Sequence, residues 1–215
     1  MFGIGKPSTL PSPDDALPGR EAQPWTLGEH VVLKTPVVAD DVPEGHEVAV
    51  FGLGCFWGAE EIFWQVPGVW STSAGYAGGH TPHPTYDEVC SGRTGHTEAV
   101  RIVFDPAVTS FADLVKRFFE IHDPTQGMQQ GNDVGTQYRS AIYFTSPGQE
   151  TTARELTKVY GDELTRRRLG SITTEIRRAA DAGYFYAEDQ HQQYLAKNPF
   201  GYRCHANTGV RFPAV

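Results

Sequence analysis

The 215-residue chain has few cysteines: Cys55, Cys90 and Cys204 are the only three, and no two are closely spaced. Their number and spacing exclude a disulfide framework and a zinc-finger pattern. No apolar run approaches the roughly 20 residues that a membrane-spanning helix needs. The N-terminus also lacks the apolar stretch of a secretory signal, so we expect a cytoplasmic protein whose odd trio of thiols serves catalysis or redox chemistry.

Basic residues are also in the minority, with 18 against 26 acidic ones and a net charge of −8. This balance argues against nucleic acid or an anionic membrane as a partner. The glycine pairs do not form GxGxxG or a phosphate-binding loop. Of the eight histidines, His80 and His83 have a suitable separation for a metal, but prolines surround them and a third ligand is lacking. We therefore predict neither a cofactor nor a metal.

What remains is the composition of a single globular domain, 39% hydrophobic and 12% aromatic. Residues 1–45 are rich in Pro, Asp and Gly and are predicted to form an extended N-terminal arm. Residues 46–180 alternate strand and helix patterns and are predicted to form an α/β core that carries any catalytic residues. Residues 181–215 read as a mostly irregular C-terminal tail, with one possible helical turn around 188–194. We expect a monomer.

Within the core, hydrophobic periodicity predicts strands over 47–53, 69–79, 97–104, 139–144 and 173–177, and helices over 57–66, 110–121 and 147–168. The first strand is apolar on both faces, which indicates a central position in its sheet. This order predicts an α+β fold: a two-layer sandwich with a ferredoxin-like core and a mixed sheet, between long irregular terminal segments. The polar loop over 123–137 is long enough to suggest a functional role.

Cys55 lies in the Gly54–Gly58 turn, where the first strand gives way to the first helix. Free backbone N–H groups and the helix dipole at that point favour a thiolate, which is the reactive form of cysteine. Phe56 and Trp57 would surround the sulfur with apolar surface. The alternative is a buried structural cysteine; the turn glycines favour a reactive thiol.

Glu98 shares a strand face with Val100, Ile102 and Phe104, because strand side chains alternate with a period of two. A carboxyl group on an apolar face should have a raised pKa and could donate a proton near neutral pH. The alternative, equally compatible with the periodicity, is a glutamate at the solvated end of the strand, paired with an arginine.

Tyr86, Tyr138 and Asp133 lie in polar, glycine-flanked segments and are candidate polar site residues. Taken singly, each tyrosine is more typical of packing and the aspartate of a turn. Cys204 lies in an irregular tail, where a thiol could swing in and resolve an oxidised partner, or could be incidental. Cys90 has no recognisable polarising neighbour and is interpreted as buried filler.

Five segments together resemble the A-type peptide methionine sulfoxide reductases. They are GCFWG at 54–58, GYAGG at 75–79, PTYDEVCSGRTGHTEAV at 84–100, GNDVGTQYRS at 131–140 and AEDQHQQYLAKNP at 187–199. The resemblance begins at DALPGR (15–20) and extends into the C-terminal region. It implies reduction of methionine S-sulfoxide, free or in oxidised proteins, and thus a role in protein repair under oxidative stress.

The resemblance also implies a role for each matching position. Cys55 would be the nucleophile, Phe56 and Trp57 the apolar cradle for the substrate's ε-methyl group, and Asp133 a supporting polar residue of the pocket. The proton donors and the recycling thiol complete the set implied by the family: Glu98 as the acid, Tyr86 and Tyr138 as hydroxyl donors, and Cys204 as the resolving cysteine. Thioredoxin would then reduce the resulting disulfide, without a bound cofactor.

The tail departs from the family's common glycine-rich pattern with two recycling cysteines. Arg203 precedes Cys204, and Arg211 stands where a second cysteine often follows. We therefore expect a single Cys55–Cys204 disulfide during turnover. Two rival hypotheses are a different cysteine enzyme, such as an amidase or a peroxidase, and a non-catalytic redox-responsive binding protein.

Overall fold

A six-stranded mixed sheet lies at the centre of the computed structural model, which describes residues 8–39, 41–204 and 206–214. Its strands are β1 (Glu47–Leu53), β2 (Val69–Ala77), β3 (Thr97–Phe104), β6 (Ser140–Phe144), β7 (Glu175–Arg178) and β8 (Tyr184–Tyr186), and a separate hairpin consists of β4 (Gln129–Gln130) and β5 (Asp133–Val134). The helices are α1 (Phe56–Phe63), α2 (Tyr86–Cys90), α3 (Phe111–Ile121), α4 (Pro147–Arg166), α5 (Ala179–Ala182) and α6 (Tyr194–Lys197).

The spatial order of the large sheet is β7-β6-β1-β3-β2-β8. Strand β1 is central, as its apolar sequence predicts: Val50 pairs with Arg101 of β3 on one side and with Tyr143 of β6 on the other. Only the β6–β7 pair of this sheet is parallel, so the sheet is mixed. The predicted α+β class is confirmed.

Helices α1, α3 and α4 pack on one face of the sheet and enclose the main core. The ring of Phe51 on β1 lies 5.6 Å from that of Phe63 on α1 and 5.2 Å from that of Phe118 on α3. Ser110 and Asp113 form the predicted capping box of α3. The predicted and observed bounds of these helices agree to within three residues.

The opposite face of the sheet is covered in part by the N-terminal segment. Ala39 of this segment is buried. The Nη2 atom of Arg101, on β3, donates to the carbonyl of Ala39 at 2.8 Å. In the parts of the chain that the structure describes, no helix is both long and apolar enough to cross a membrane.

The sequence analysis missed one strand after residue 181, whereas the helical turn expected around 188–194 corresponds to the 3-10 turn Asp189–His191. Strand β8 pairs with β2 over Gly75–Ala77 and extends the sheet by one edge strand. A Cβ atom on Gly75 would lie 2.4 Å from the Tyr184 ring, so this pairing requires a glycine. Helix α2 was also missed, although Thr85 and Glu88 form a capping box. Three or five residues are too short to show a hydrophobic period.

Candidate active site

Cys55 occupies the junction between β1 and α1, where it is the N-cap residue of the helix. Gly54 before it has a φ of +92°, and a Cβ atom there would lie 2.7 Å from Cγ of Gln130. Both observations require glycine at this position. The turn therefore fixes the cysteine against the β4–β5 hairpin, and its side chain is only 9% exposed.

The thiol's environment differs from the one predicted from the helix N-terminus alone. The backbone N–H groups of Trp57 and Gly58 face the sulfur and lower its pKa, although the side chain makes no capping hydrogen bond. Burial has the larger effect and raises the pKa of Cys55 well above its ordinary value, and the charges of Glu98 and Asp133 raise it further. The net shift of the Cys55 pKa is thus opposite to the one predicted from the helix end, because desolvation outweighs the dipole.

Glu98 is buried on β3, on the face that the alternation of the strand predicts, and is 1% exposed. Its Oε2 atom accepts the backbone N–H of Phe56 at 2.9 Å. The alternative of a solvated strand end is therefore wrong. The bond ties the carboxyl group to the first residue of α1, directly after the candidate nucleophile.

Tyr86 and Tyr138 are brought to the same pocket by two short helical turns. Tyr86 begins α2, and Tyr138 ends the 3-10 turn Thr136–Tyr138. Burial raises the pKa of both phenols far above the ordinary value, and the charge of Glu98 adds to the rise in each case. Both side chains therefore stay protonated and can donate O–H hydrogen bonds. Cys55 also acts electrostatically on Tyr138, which shows how closely the four groups are gathered.

The Phe56 and Trp57 side chains form an aromatic wall that continues into residues to which the sequence analysis gave no role. Trp57 stacks on Tyr194 with ring centroids 3.9 Å apart and donates its Nε1–H to Nδ1 of His191 at 3.2 Å. The His191 ring lies 4.3 Å from that of Tyr86. Burial lowers the pKa of His191, so the ring is neutral and can accept this bond. Both residues belong to the segment AEDQHQQYL (187–195), but neither its periodicity nor its spacing indicates that they contact Trp57.

A buried carboxyl group on α1 holds the segment that carries His191 and Tyr194 against this helix. Glu60, one turn after Phe56, accepts hydrogen bonds from the backbone N–H of Gln193 at 2.7 Å, from its side chain at 2.8 Å and from Thr72 at 3.0 Å. Thr72 in turn is hydrogen-bonded to His30 of the N-terminal segment. Burial raises the pKa of Glu60 to about 7. The clamp fixes the segment that carries His191 and Tyr194.

The C-terminal tail reaches the other side of the pocket through the β4–β5 hairpin. The Cys204 thiol lies 3.6 Å from the carbonyl oxygen of Gln130. Tyr202 donates its hydroxyl to Oδ2 of Asp133 at 3.2 Å. All three cysteines are free thiols. The candidate resolving thiol therefore lies beside Gln130, the residue that also packs against Gly54, directly before the candidate nucleophile.

Cys90 differs from its interpretation as buried filler without a polarising neighbour. It is only partly buried, at the end of α2, and its side chain hydrogen-bonds with that of Tyr86. A five-residue helix turns both side chains toward the pocket, which the sequence alone does not show.

Among the described residues, no three His, Cys, Asp or Glu side chains lie together so as to hold a metal ion. His205 lies outside the described residues. His96 is instead buried, with Nε2 2.7 Å from the carbonyl oxygen of Thr81. The chemistry of the pocket is that of a thiol, a carboxyl group and two phenols.

Comparison with known structures gives close matches. The chain matches methionine sulfoxide reductase A of Corynebacterium diphtheriae with a TM-score of 0.86 and 48% identity, over 96% of this chain and all of the other. It matches reduced Mxr1 from Saccharomyces cerevisiae with a TM-score of 0.69 and 31% identity, over 75% of this chain and 91% of the other.

Sequence comparison agrees. The peptide methionine sulfoxide reductase MsrA of Azorhizobium caulinodans is 56% identical over 99% of this chain and 96% of its own length. MsrA 1 of Caulobacter vibrioides is also 56% identical, over 99% of this chain and 97% of its own. Residues 47–213 match the family described as peptide methionine sulfoxide reductase. The chain belongs to the peptide methionine sulfoxide reductase family.

Proposed function

We propose that the family's reaction, reduction of methionine sulfoxide to methionine, proceeds here by attack of the Cys55 sulfur on the sulfoxide sulfur. The observation that carries this proposal is the arrangement around Cys55: Glu98 accepts the backbone N–H of the next residue, Phe56, at 2.9 Å, Tyr86 stacks on the Phe56 ring, and Tyr138 interacts electrostatically with Glu98 and Cys55. A sulfoxide sulfur is a poor electrophile until its oxygen is protonated. A nucleophile and proton donors are thus needed in the same place.

Cys55 and Glu98 supply that pair by sharing a proton. While Glu98 is ionised, its charge opposes the thiolate and the proton stays on sulfur. When the proton moves to Glu98, the opposing charge disappears and the backbone N–H groups of Trp57 and Gly58 support the thiolate. The pocket then holds a nucleophile and an acid together. The proton on Glu98 passes to the sulfoxide oxygen during attack.

The phenols of Tyr86 and Tyr138 act on the same oxygen. Because both remain protonated in this buried site, each can donate a hydrogen bond to the charge that develops as the S–O bond breaks. Preorganised donors in a water-poor pocket stabilise the transition state more than the ground state. Phe56 and Trp57 hold the substrate's ε-methyl group, and Asp133 supports the polar side of the pocket.

The hydroxide released from the sulfoxide then attacks the Cys55 sulfur and breaks the S–S bond formed in the first step, which leaves methionine and a sulfenic acid on Cys55. Cys204 condenses with this group, forming the Cys55–Cys204 disulfide and releasing water. A dithiol reductant of the thioredoxin class restores both thiols. The substrates are the S epimer of methionine sulfoxide, free or in oxidised proteins, and the site of action is the cytoplasm.

Consumption of NADPH, coupled through thioredoxin and its reductase, tests this function with the separated S and R epimers. We expect steady turnover with the S epimer and little with the R epimer. Binding without methionine release would support the rival binding protein and overturn the proposal. Consumption of hydroperoxides in place of sulfoxides would do the same in favour of a peroxidase.

A further inference from the structure

Three consecutive tail residues contact two parts of the active-site region, the β4–β5 hairpin and helix α1. Tyr202 bonds to Asp133 of the hairpin, Arg203 pairs with Glu61 of α1, and Cys204 lies against the carbonyl of Gln130. A tail made flexible by glycine would not need such contacts. Here side chains, rather than regular secondary structure, determine where the thiol lies.

The Arg203 guanidinium makes the strongest of these contacts. Its Nε and Nη2 atoms bind the two carboxylate oxygens of Glu61, both at 2.7 Å. Its Nη1 atom donates to the carbonyls of Pro199 at 2.9 Å and Gly201 at 3.3 Å. The two side chains are 30% and 24% exposed, so salt screens the pair only in part. A bidentate pair also fixes orientation, which a single contact does not.

The partner of Arg203 matters because of where it lies. Glu61 belongs to α1, the helix that begins at the cap residue Cys55. Gln130, which touches Cys204, is the residue against which a Cβ on Gly54 would collide. The ion pair thus holds the tail on the same helix that carries the nucleophile.

We propose that the Arg203–Glu61 ion pair is a positioning device that places Cys204 for attack on the oxidised Cys55. This inference rests on the proposed function. In the step concerned, the Cys204 sulfur bonds to the Cys55 sulfur, the S–O bond of the sulfenic acid breaks, and hydroxide leaves as water with the thiol proton. The pair touches none of the reacting atoms; it raises the fraction of time that Cys204 spends within reach.

The lifetime of the sulfenic acid tests the proposal directly. Reduced full-length enzyme is mixed with one equivalent of the S sulfoxide and no thioredoxin, and samples are quenched with dimedone, which traps sulfenic acid. We expect Arg203→Ala and Glu61→Ala to lengthen the lifetime about tenfold each. The double exchange Arg203→Glu with Glu61→Arg should restore a large part of the rate, which a non-specific structural defect would not allow. Arg203→Lys, which cannot bind bidentately, should give a sulfenic acid lifetime between those of the natural chain and of Arg203→Ala.

A matched control removes an arginine–glutamate ion pair that belongs to a different helix, α4. Arg154 pairs with Glu150 on α4, and Arg154→Ala should leave the lifetime unchanged. Added salt should slow resolution in the natural chain more than in Arg203→Ala. An unchanged lifetime in Arg203→Ala, with methionine formed normally, would overturn this inference alone. Failure of the natural chain to form any methionine would instead overturn the proposed function.

Discussion

Cys55 and Cys204 are held in opposite ways. Cys55 lies where a central strand meets a helix, its turn requires glycine, and two backbone N–H groups face its sulfur. Cys204 lies in a segment without regular structure, half-buried, and is placed by an ion pair and a tyrosine beside it.

The difference follows from what each sulfur would have to do in the proposed cycle. When the nucleophile attacks the sulfoxide sulfur, the sulfoxide oxygen must at the same time be hydrogen-bonded to the proton donors. A nucleophile fixed by rigid backbone geometry meets this requirement. A resolving thiol must first be close to Cys55 and later be reached by a reductant. Side-chain contacts can hold it without making it immobile.

The largest expected effect is at the rigid site. Cys55→Ser should abolish methionine formation, by at least about a thousandfold, because a hydroxyl in this pocket is a far weaker nucleophile. Single-turnover release of methionine is the measurement, with the thermal unfolding midpoint confirming that the fold is intact. Retained turnover would show that Cys55 is not the nucleophile.

Glu98 tests whether the rigid site also supplies the proton. Glu98→Ala should slow methionine formation about a hundredfold or more, since it removes the acid and leaves the Phe56 N–H without its acceptor. Glu98→Gln keeps an acceptor and a donor but cannot transfer a proton, so its loss should be smaller. The pH dependence of the single-turnover rate should flatten in both variants. Equal and negligible effects would exclude the acid role.

Cys204→Ser should separate methionine formation at Cys55 from recycling through Cys204. We expect about one methionine per enzyme at an almost unchanged rate, followed by steady-state turnover with thioredoxin that is about tenfold or more lower. Counting methionine against enzyme gives the first quantity, and NADPH consumption gives the second. Unchanged steady-state turnover would show that Cys204 takes no part in recycling.

The smallest effect concerns the clamp behind the aromatic wall. Burial raises the pKa of Glu60 to about 7, so the folded state binds its proton more tightly than the unfolded state does. Stability from this group is complete below about pH 4.5, is lost as pH rises to about 7, and is constant above that. The loss should be about 3 kcal/mol.

Urea unfolding of the natural chain and of Glu60→Gln across this pH range measures that loss. The difference between the two curves should change between pH 4.5 and 7 and then level off. Parallel curves would show that Glu60 is not protonated more readily in the folded state.

Long periodic elements were the predictable part of the fold. Strands β1 and β3 have the predicted bounds, because their apolar runs and flanking turns are local signals. Strand β8 and helix α2 were not predictable, since their few residues take up regular structure only against β2 and Glu188.

The candidate site also has features that the sequence predicts and features that it does not. The buried position of Glu98 follows from strand alternation, and the aromatic neighbours of Cys55 follow from the chain order. The contact of His191 with Trp57, the clamp at Glu60 and the Cys90–Tyr86 bond join residues or orientations that no local period specifies.

The sequence by itself determined the strand–turn–helix that carries Cys55, the α+β class and the family, because each depends on local pattern or on motif spacing. Tertiary structure alone decided the protonation of the pocket. The pKa of Cys55 depends on burial and on the charge of Glu98 more than on the helix end, and burial depends on the whole fold. The position of Cys204 was likewise decided in three dimensions, by a salt bridge between residues far apart in the chain.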